Sequence, residues 1–169
     1  MNSPAIRSVT FDSPEGTSEF AACLGELMAP GDVVLLSGPV GAGKSHFARS
    51  LIQTHLKRSG CFVEDVPSPT FTLVQTYHSG ETEIWHADLY RLTHTDEVEE
   101  LGLMDAFDTA ICLVEWPDRL GDLAPSNALS LTLEPEDVDV FPERRVMTLT
   151  WQDPKWTTIL EAALRKAHA

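Results

Sequence analysis

Eight consecutive residues, Gly38-Pro39-Val40-Gly41-Ala42-Gly43-Lys44-Ser45, satisfy the spacing G-x-x-x-x-G-K-S, and their types suit one task, the holding of phosphates. Glycines let successive backbone N–H groups converge on anionic oxygens, and a helix that starts at the end of the loop adds partial positive charge there. Lys44 supplies a point charge for β- and γ-phosphates, and the Ser45 hydroxyl is of the type that ligates the magnesium bridging them. The motif predicts binding of ATP/ADP with Mg2+.

Such a cation needs a carboxylate opposite the hydroxyl, delivered from the end of a neighbouring buried strand. Glu115 closes the apolar run Ile111-Cys112-Leu113-Val114 and is the first candidate. Asp88 closes Ile84-Trp85-His86-Ala87 and is the second, for orienting an attacking water or holding the metal's water shell, with structural hydrogen bonding as its rival role. Which carboxylate positions the water stays open at this level. Trp116 follows Glu115 and is expected over the site, against a partner or at the core edge. His78, His86 and His94 recur at an eight-residue spacing that fits no ligand pair on a strand or helix, so they read as surface or core histidines. Glu97, Glu99 and Glu100 read as a solvated helix face.

These groups are carried by elements that the pattern of apolar residues outlines. Residues 6–11 alternate as a strand, and Thr17 or Ser18 is expected to cap a helix with Phe20, Cys23, Leu24 and Leu27 on its apolar face. Residues 33–36 form an unbroken apolar run, the mark of a strand covered on both faces in a parallel sheet. Residues 44–58 follow as an amphipathic helix with basic residues at its C-terminal end. Pro67 and Pro69 make residues 60–69 a loop. Strands over 71–77 and 83–89 are expected to join at Ser79-Gly80, and an acidic helix capped by Thr95 is expected to break near Gly102 before a second piece to residue 107. Residues 110–114 form the second fully apolar strand, residues 129–133 and 144–151 an antiparallel pair, and Pro154 starts a last helix. The sum is an α/β fold of one domain over residues 1–169, a mixed sheet with a parallel core, antiparallel strands and flanking helices; the nucleotide-binding core covers about residues 11–151 and the C-terminal helix about 154–167.

Composition narrows the function further. The 169 residues carry 12 basic and 26 acidic side chains, a formal charge of −14, which disfavours direct, sequence-independent binding to a phosphate backbone. Residues 1–7 meet charge early and have no apolar core, so no secretory signal is expected, and no apolar run approaches the roughly 20 residues of a membrane span. Cys23, Cys61 and Cys112 are odd in number and widely spaced, which predicts reduced, mostly buried thiols. A soluble cytoplasmic protein is the expectation.

Beyond the phosphate loop, Ser68-Pro69-Thr70-Phe71-Thr72-Leu73-Val74, His86-Ala87-Asp88-Leu89-Tyr90-Arg91-Leu92 and Val114-Glu115-Trp116-Pro117 follow in order. In these four motifs the chain resembles the TsaE family, also called YjeE, over about residues 11–151. The resemblance implies a P-loop NTPase-type fold and a Mg-dependent ATPase, weak alone and stimulated by partners. It implies action on a complex of TsaB and TsaD that makes N6-threonylcarbamoyladenosine in tRNA, with tRNA met only through that complex and no membrane. It implies that Lys44, Asp88 and Glu115 are the catalytic set, that Ser45 and Glu115 hold the metal, and that the nucleotide meets Val40, Gly41, Ala42, Gly43, Lys44, Ser45, His46 and Arg144, the last of which reads equally as a solvated strand arginine. The Ser68-Pro69-Thr70 segment resembles the family's switch region, and Trp116 matches its tryptophan. The usual family loop is G-D-L-G-A-G-K-T, from which this chain departs at Pro39, Val40 and Ser45.

Two other functions compete. A P-loop kinase for a small molecule should carry an arginine-rich lid, yet the arginines beyond residue 70 are only Arg91, Arg119, Arg144, Arg145 and the helical Arg165. A nucleotide sensor that does not hydrolyse would use Asp88 and Glu115 only to set conformation.

Overall fold

The computed structural model describes residues 3–61 and 65–167; residues 62–64 of the expected loop lie outside the described residues. The element order is β1 (Ala5–Phe11), α1 (Pro14–Leu27), β2 (Val33–Ser37), α2 (Lys44–Arg58), β3 (Val74–Ser79), β4 (Thr82–Asp88), α3 (Thr95–Glu100), α4 (Leu103–Thr109), β5 (Ile111–Glu115), a 3-10 segment (Pro117–Leu123), β6 (Leu129–Pro135), β7 (Arg145–Trp151) and α5 (Lys155–Ala167). Seven strands form one sheet in the order β1-β7-β6-β2-β5-β4-β3. The inner strands β6, β2, β5 and β4 run parallel, while β7, β1 and β3 join antiparallel at the two sides. This is the mixed α/β sheet that the unbroken apolar runs of β2 and β5 foretell, since only strands covered on both faces can be apolar throughout.

Period-two alternation divides the core. Val34 and Leu36 of β2 with Ile111 and Leu113 of β5 meet Phe20, Leu24, Phe47, Leu51 and Trp156 from α1, α2 and α5. Val33, Leu35, Cys112 and Val114 face the other way, against Val98, Leu103, Phe107 and Leu120. Burial pushes the Cys112 thiol up to about 12, which makes it an inert core group, and all three cysteines are free. Among the described residues no helix is long and apolar enough to cross a membrane.

Several local expectations shift. Helix α1 starts earlier than Thr17, because Pro14 is preorganised for a first helical position and Ser13 Oγ accepts from the Gly16 N–H at 3.2 Å. Its inner face uses Ala21 and Gly25 in place of Leu27, which is 39% exposed. The N-cap of α3 is His94, whose backbone N–H, like the Thr93 hydroxyl, donates to Glu97. Strand β3 starts at Val74 and not at residue 71: the Leu73 N–H donates to the Pro69 carbonyl at 2.7 Å, a turn that leaves Phe71 85% exposed.

Candidate functional site

Strand order assembles the site. Glu115 at the end of β5 pairs in register with Leu36 of β2 on one side and with Asp88 of β4 on the other. The phosphate-loop motif continues from β2, so Glu115 lies between that loop and Asp88 at the carboxyl edge of the parallel strands, where ligands bind in such sheets. Alternation then sets the side-chain faces: Ile111 and Leu113 point toward α2, and so does Glu115; Ile84 points the same way, and so do His86 and Asp88.

The loop itself is held by close contacts. Gly38 has φ 139°, and a Cβ there would stand 2.2 Å from the Leu133 carbonyl oxygen, so no other residue fits. Gly43 takes a left-handed conformation, φ 110°, at the N-cap of α2. Arg145 braces the loop from β7, its Nε donating to the Ala42 carbonyl at 3.1 Å.

Lys44 is 5% exposed, and its Nζ donates to the carbonyls of Gly38 at 2.5 Å and Pro39 at 3.1 Å. The same ammonium lies 4.3 Å from the Trp116 ring centroid. Burial pushes its proton affinity down, and the nearby charges of Glu115 and Asp88 push it back up. Trp116 adopts φ 58°, ψ 54°, a rare conformation for a bulky residue, which turns the chain from β5 into the 3-10 segment and sets the indole 4.9 Å from the Tyr90 ring.

Hydrogen bonds and one longer oxygen contact join the remaining groups. Ser45 Oγ donates toward Glu115 Oε1 and Oε2, at 3.0 and 3.1 Å, and lies 3.4 Å from Ser68 Oγ. Ser68 Oγ bonds Thr70 Oγ1 at 2.8 Å, and Thr70 Oγ1 donates to Asp88 Oδ2 at 3.1 Å. Asp88 Oδ1 accepts the Tyr90 N–H at 3.0 Å. Behind them His86 Nε2 meets Glu115 Oε2 at 2.7 Å. Just before the 68–70 segment, Arg49 of α2 holds the chain at Val66, its Nε donating to that carbonyl at 3.1 Å.

These residues enclose a cleft of about 490 Å³, a size that suits a nucleotide. Val40, Gly41, Gly43, Lys44, Ser45 and His46 line one wall; Ser68, Thr70, Asp88, Glu115, Trp116 and Tyr90 complete it. Ala42 and Pro69 are buried beside it. Arg144 lies outside this lining, donating to Asp12 Oδ1 at 2.9 Å and lying 3.5 Å from the Phe141 ring centroid, while its neighbour Arg145 is the one that touches the loop. His78 and His94 are exposed, whereas His86 is 1% exposed within the site. The sequence signal for His86 is its place two residues before Asp88 on one strand, hence on the same face.

The donor set suits a hard cation. Glu115 and Asp88 are 3% and 5% exposed, and neither forms an ion pair with lysine or arginine among the described residues. Among the described residues no group of three or more acidic, histidine or cysteine side chains forms a metal cage. One hydroxyl and a carboxylate, completed by phosphate oxygens and water, is the arrangement magnesium takes with nucleotides.

Residues 11–146 match the family described as threonylcarbamoyl adenosine biosynthesis protein TsaE. The chain belongs to the TsaE family. Among curated members, the tRNA threonylcarbamoyladenosine biosynthesis protein TsaE of Rickettsia conorii is 36% identical over 128 residues, 76% of this chain and 71% of that one. The TsaE of Rickettsia bellii is 35% identical over 139 residues, 82% of this chain and 91% of its own. The crystal structure of Bacillus subtilis YdiB shares the fold, with a TM-score of 0.73 at 23% identity and 98% of each chain covered. This TsaE-family chain keeps the alternation and strand order that bring its loop and its two carboxylates together.

Proposed function

We propose that the chain is a cytoplasmic Mg-dependent ATPase that serves tRNA threonylcarbamoyladenosine formation as a nucleotide-driven switch on a TsaB–TsaD complex. The observation that carries this reading is that Ser68 bonds Thr70 and Thr70 donates to Asp88, while Ser68 Oγ touches, at 3.4 Å, the Ser45 oxygen that donates to Glu115, so a surface segment is packed against the phosphate loop. Occupancy of the cleft is thereby felt at residues 68–71, where an 85% exposed Phe71 is presented to a protein partner.

In this reading Lys44 swings from the Gly38 and Pro39 carbonyls to the β- and γ-phosphates, and the loop amides hold their oxygens. Ser45 and Glu115 would hold a magnesium ion, which would supply neutralisation of phosphate charge when bound. Asp88 orients a water for in-line attack on the γ-phosphorus; the bond to the β–γ bridging oxygen breaks, and ADP and phosphate leave. Trp116 covers the lysine and keeps water from it.

The test is phosphate release from Mg-ATP by the purified chain, alone and with TsaB and TsaD, against Lys44→Ala as background. Strong stimulation by the partners, lost in Asp88→Asn with ADP binding kept, is the expected result. Turnover that ignores the partners and requires a small-molecule acceptor would replace the switch with a kinase.

A further inference from the structure

We propose that His86 is the positioning residue that aims Glu115 at the cation; this rests on the reading of Glu115 as a cation ligand. Registers place His86 opposite Leu113 and Asp88 opposite Glu115, so His86 and Glu115 are diagonal neighbours on one face of a parallel pair. Both are buried, at 1% and 3% exposure, and Nε2 reaches Oε2 at 2.7 Å.

The hydrogen on this imidazole is assigned by its surroundings. Nδ1 is buried and has no hydrogen-bond partner among the described residues. A hydrogen on Nδ1 would be an orphan donor in the interior and would turn a bare Nε2 lone pair toward a carboxylate oxygen 2.7 Å away. The neutral tautomer with hydrogen on Nε2 avoids both costs.

Glu115 has three rotatable side-chain bonds, and its backbone is fixed independently, its carbonyl accepting the Leu89 N–H at 3.1 Å. The direction of the carboxylate therefore depends on side-chain donors. Ser45 is one, but it lies almost equally far from both oxygens, 3.0 and 3.1 Å, and does not select between them. His86 remains, gripping Oε2 and leaving Oε1 toward the cleft. Hydrogen-bond donors behind a ligating group set its orientation and commonly change metal affinity 10- to 100-fold.

The experiment measures ADP binding by calorimetry across a Mg2+ series and in EDTA, for the full chain and for His86→Phe, His86→Gln and Glu115→Gln, with thermal melts to check folding. His86→Phe is expected to raise the half-saturating Mg2+ concentration about 10-fold or more while ADP affinity in EDTA stays within about 3-fold. His86→Gln, whose amide N–H can reach the same oxygen, is expected to restore most of the loss. His86→Met takes the place of the phenylalanine variant if that one does not fold. A wild-type Mg2+ requirement in the apolar variant overturns the assignment, as does a glutamine variant as weak as the apolar one, which would make the ring a packing group. If Glu115→Gln itself keeps the wild-type Mg2+ requirement, the failure lies with Glu115 as ligand.

Discussion

The Ser45 hydroxyl lies within hydrogen-bond distance of both carboxylate oxygens of Glu115, 3.0 and 3.1 Å away. Strand β5 and the first turn of α2 therefore meet through the two groups a bridging cation would join. Ser45→Ala is expected to leave ADP affinity in EDTA unchanged within about 3-fold and to remove most of the gain that Mg2+ gives, about 10-fold or more for a lost charge-assisted contact. Ser45→Thr keeps the oxygen and should keep the gain. Calorimetric titration with and without Mg2+ reads both; an alanine variant with a full Mg2+ response would remove Ser45 from the cation site.

Lys44 satisfies its ammonium with two carbonyls of its own loop, so the folded chain does not need a ligand to keep this buried charge. Lys44→Ala should accordingly melt close to wild type while its ADP dissociation constant rises about 10- to 100-fold, the range of one charged hydrogen bond of about 1.5–3 kcal/mol. Equilibrium binding and a thermal scan on the same sample separate the two effects. A variant that binds normally would place the phosphates elsewhere.

Thr70 is the link between the surface segment and Asp88, through one hydroxyl that bonds Ser68 and donates to Asp88. Thr70→Val keeps the shape and removes both bonds. ADP binding should change by less than about 3-fold, whereas partner-stimulated phosphate release should fall about 10-fold or more, within the usual range for disturbing a group that orients the reacting water. Hydrogen exchange at residues 66–73 should rise in the same variant, and unchanged exchange together with unchanged turnover would break the proposed coupling.

The sequence is most legible where one residue type has one physical use. Short unbroken apolar runs bounded by turn residues read as covered strands, which identifies β2 and β5, and the G-x-x-x-x-G-K-S spacing after β2 places a helix with Lys44 and Ser45 at its start. The cap of α1 is hidden because Ser13, Thr17 and Ser18 all have suitable oxygens, and Pro14 decides among them. Strand β3 reads as starting too early because Phe71 looks like a strand residue; the turn closed by Leu73 on Pro69 depends on φ 69° at Leu73, which no local pattern announces. The contact between His86 and Glu115 needs the order β5 next to β4 and their register, both tertiary facts.

Gly38 tests the seating of the loop. Its φ of 139°, and the Leu133 carbonyl oxygen only 2.2 Å from where a Cβ would stand, mean that Gly38→Ala must shift either β6 or the loop. The expected cost is about 2–4 kcal/mol, the sum of backbone strain and overpacking. For a chain of this size that corresponds to a fall of roughly 5–15 °C in Tm. A melt within about 2 °C of wild type would mean that the loop repositions freely.

Acidification should act through His55. It hydrogen-bonds Ser79 through Nδ1 at 2.7 Å, and burial, with Arg58 adding to it, pushes its proton affinity below the ordinary value of 6.5. The unfolded chain then takes up a proton at a higher pH than the folded one, so stability from this group is complete above 6.5 and is lost as pH falls through the lower folded value. His55→Gln, which cannot charge, should flatten that part of the curve of Tm against pH below 6.5 while melting lower than wild type at neutral pH. Parallel curves for the two proteins would show that His55 gains its proton as easily folded as unfolded, and the acid sensitivity would then belong to other groups.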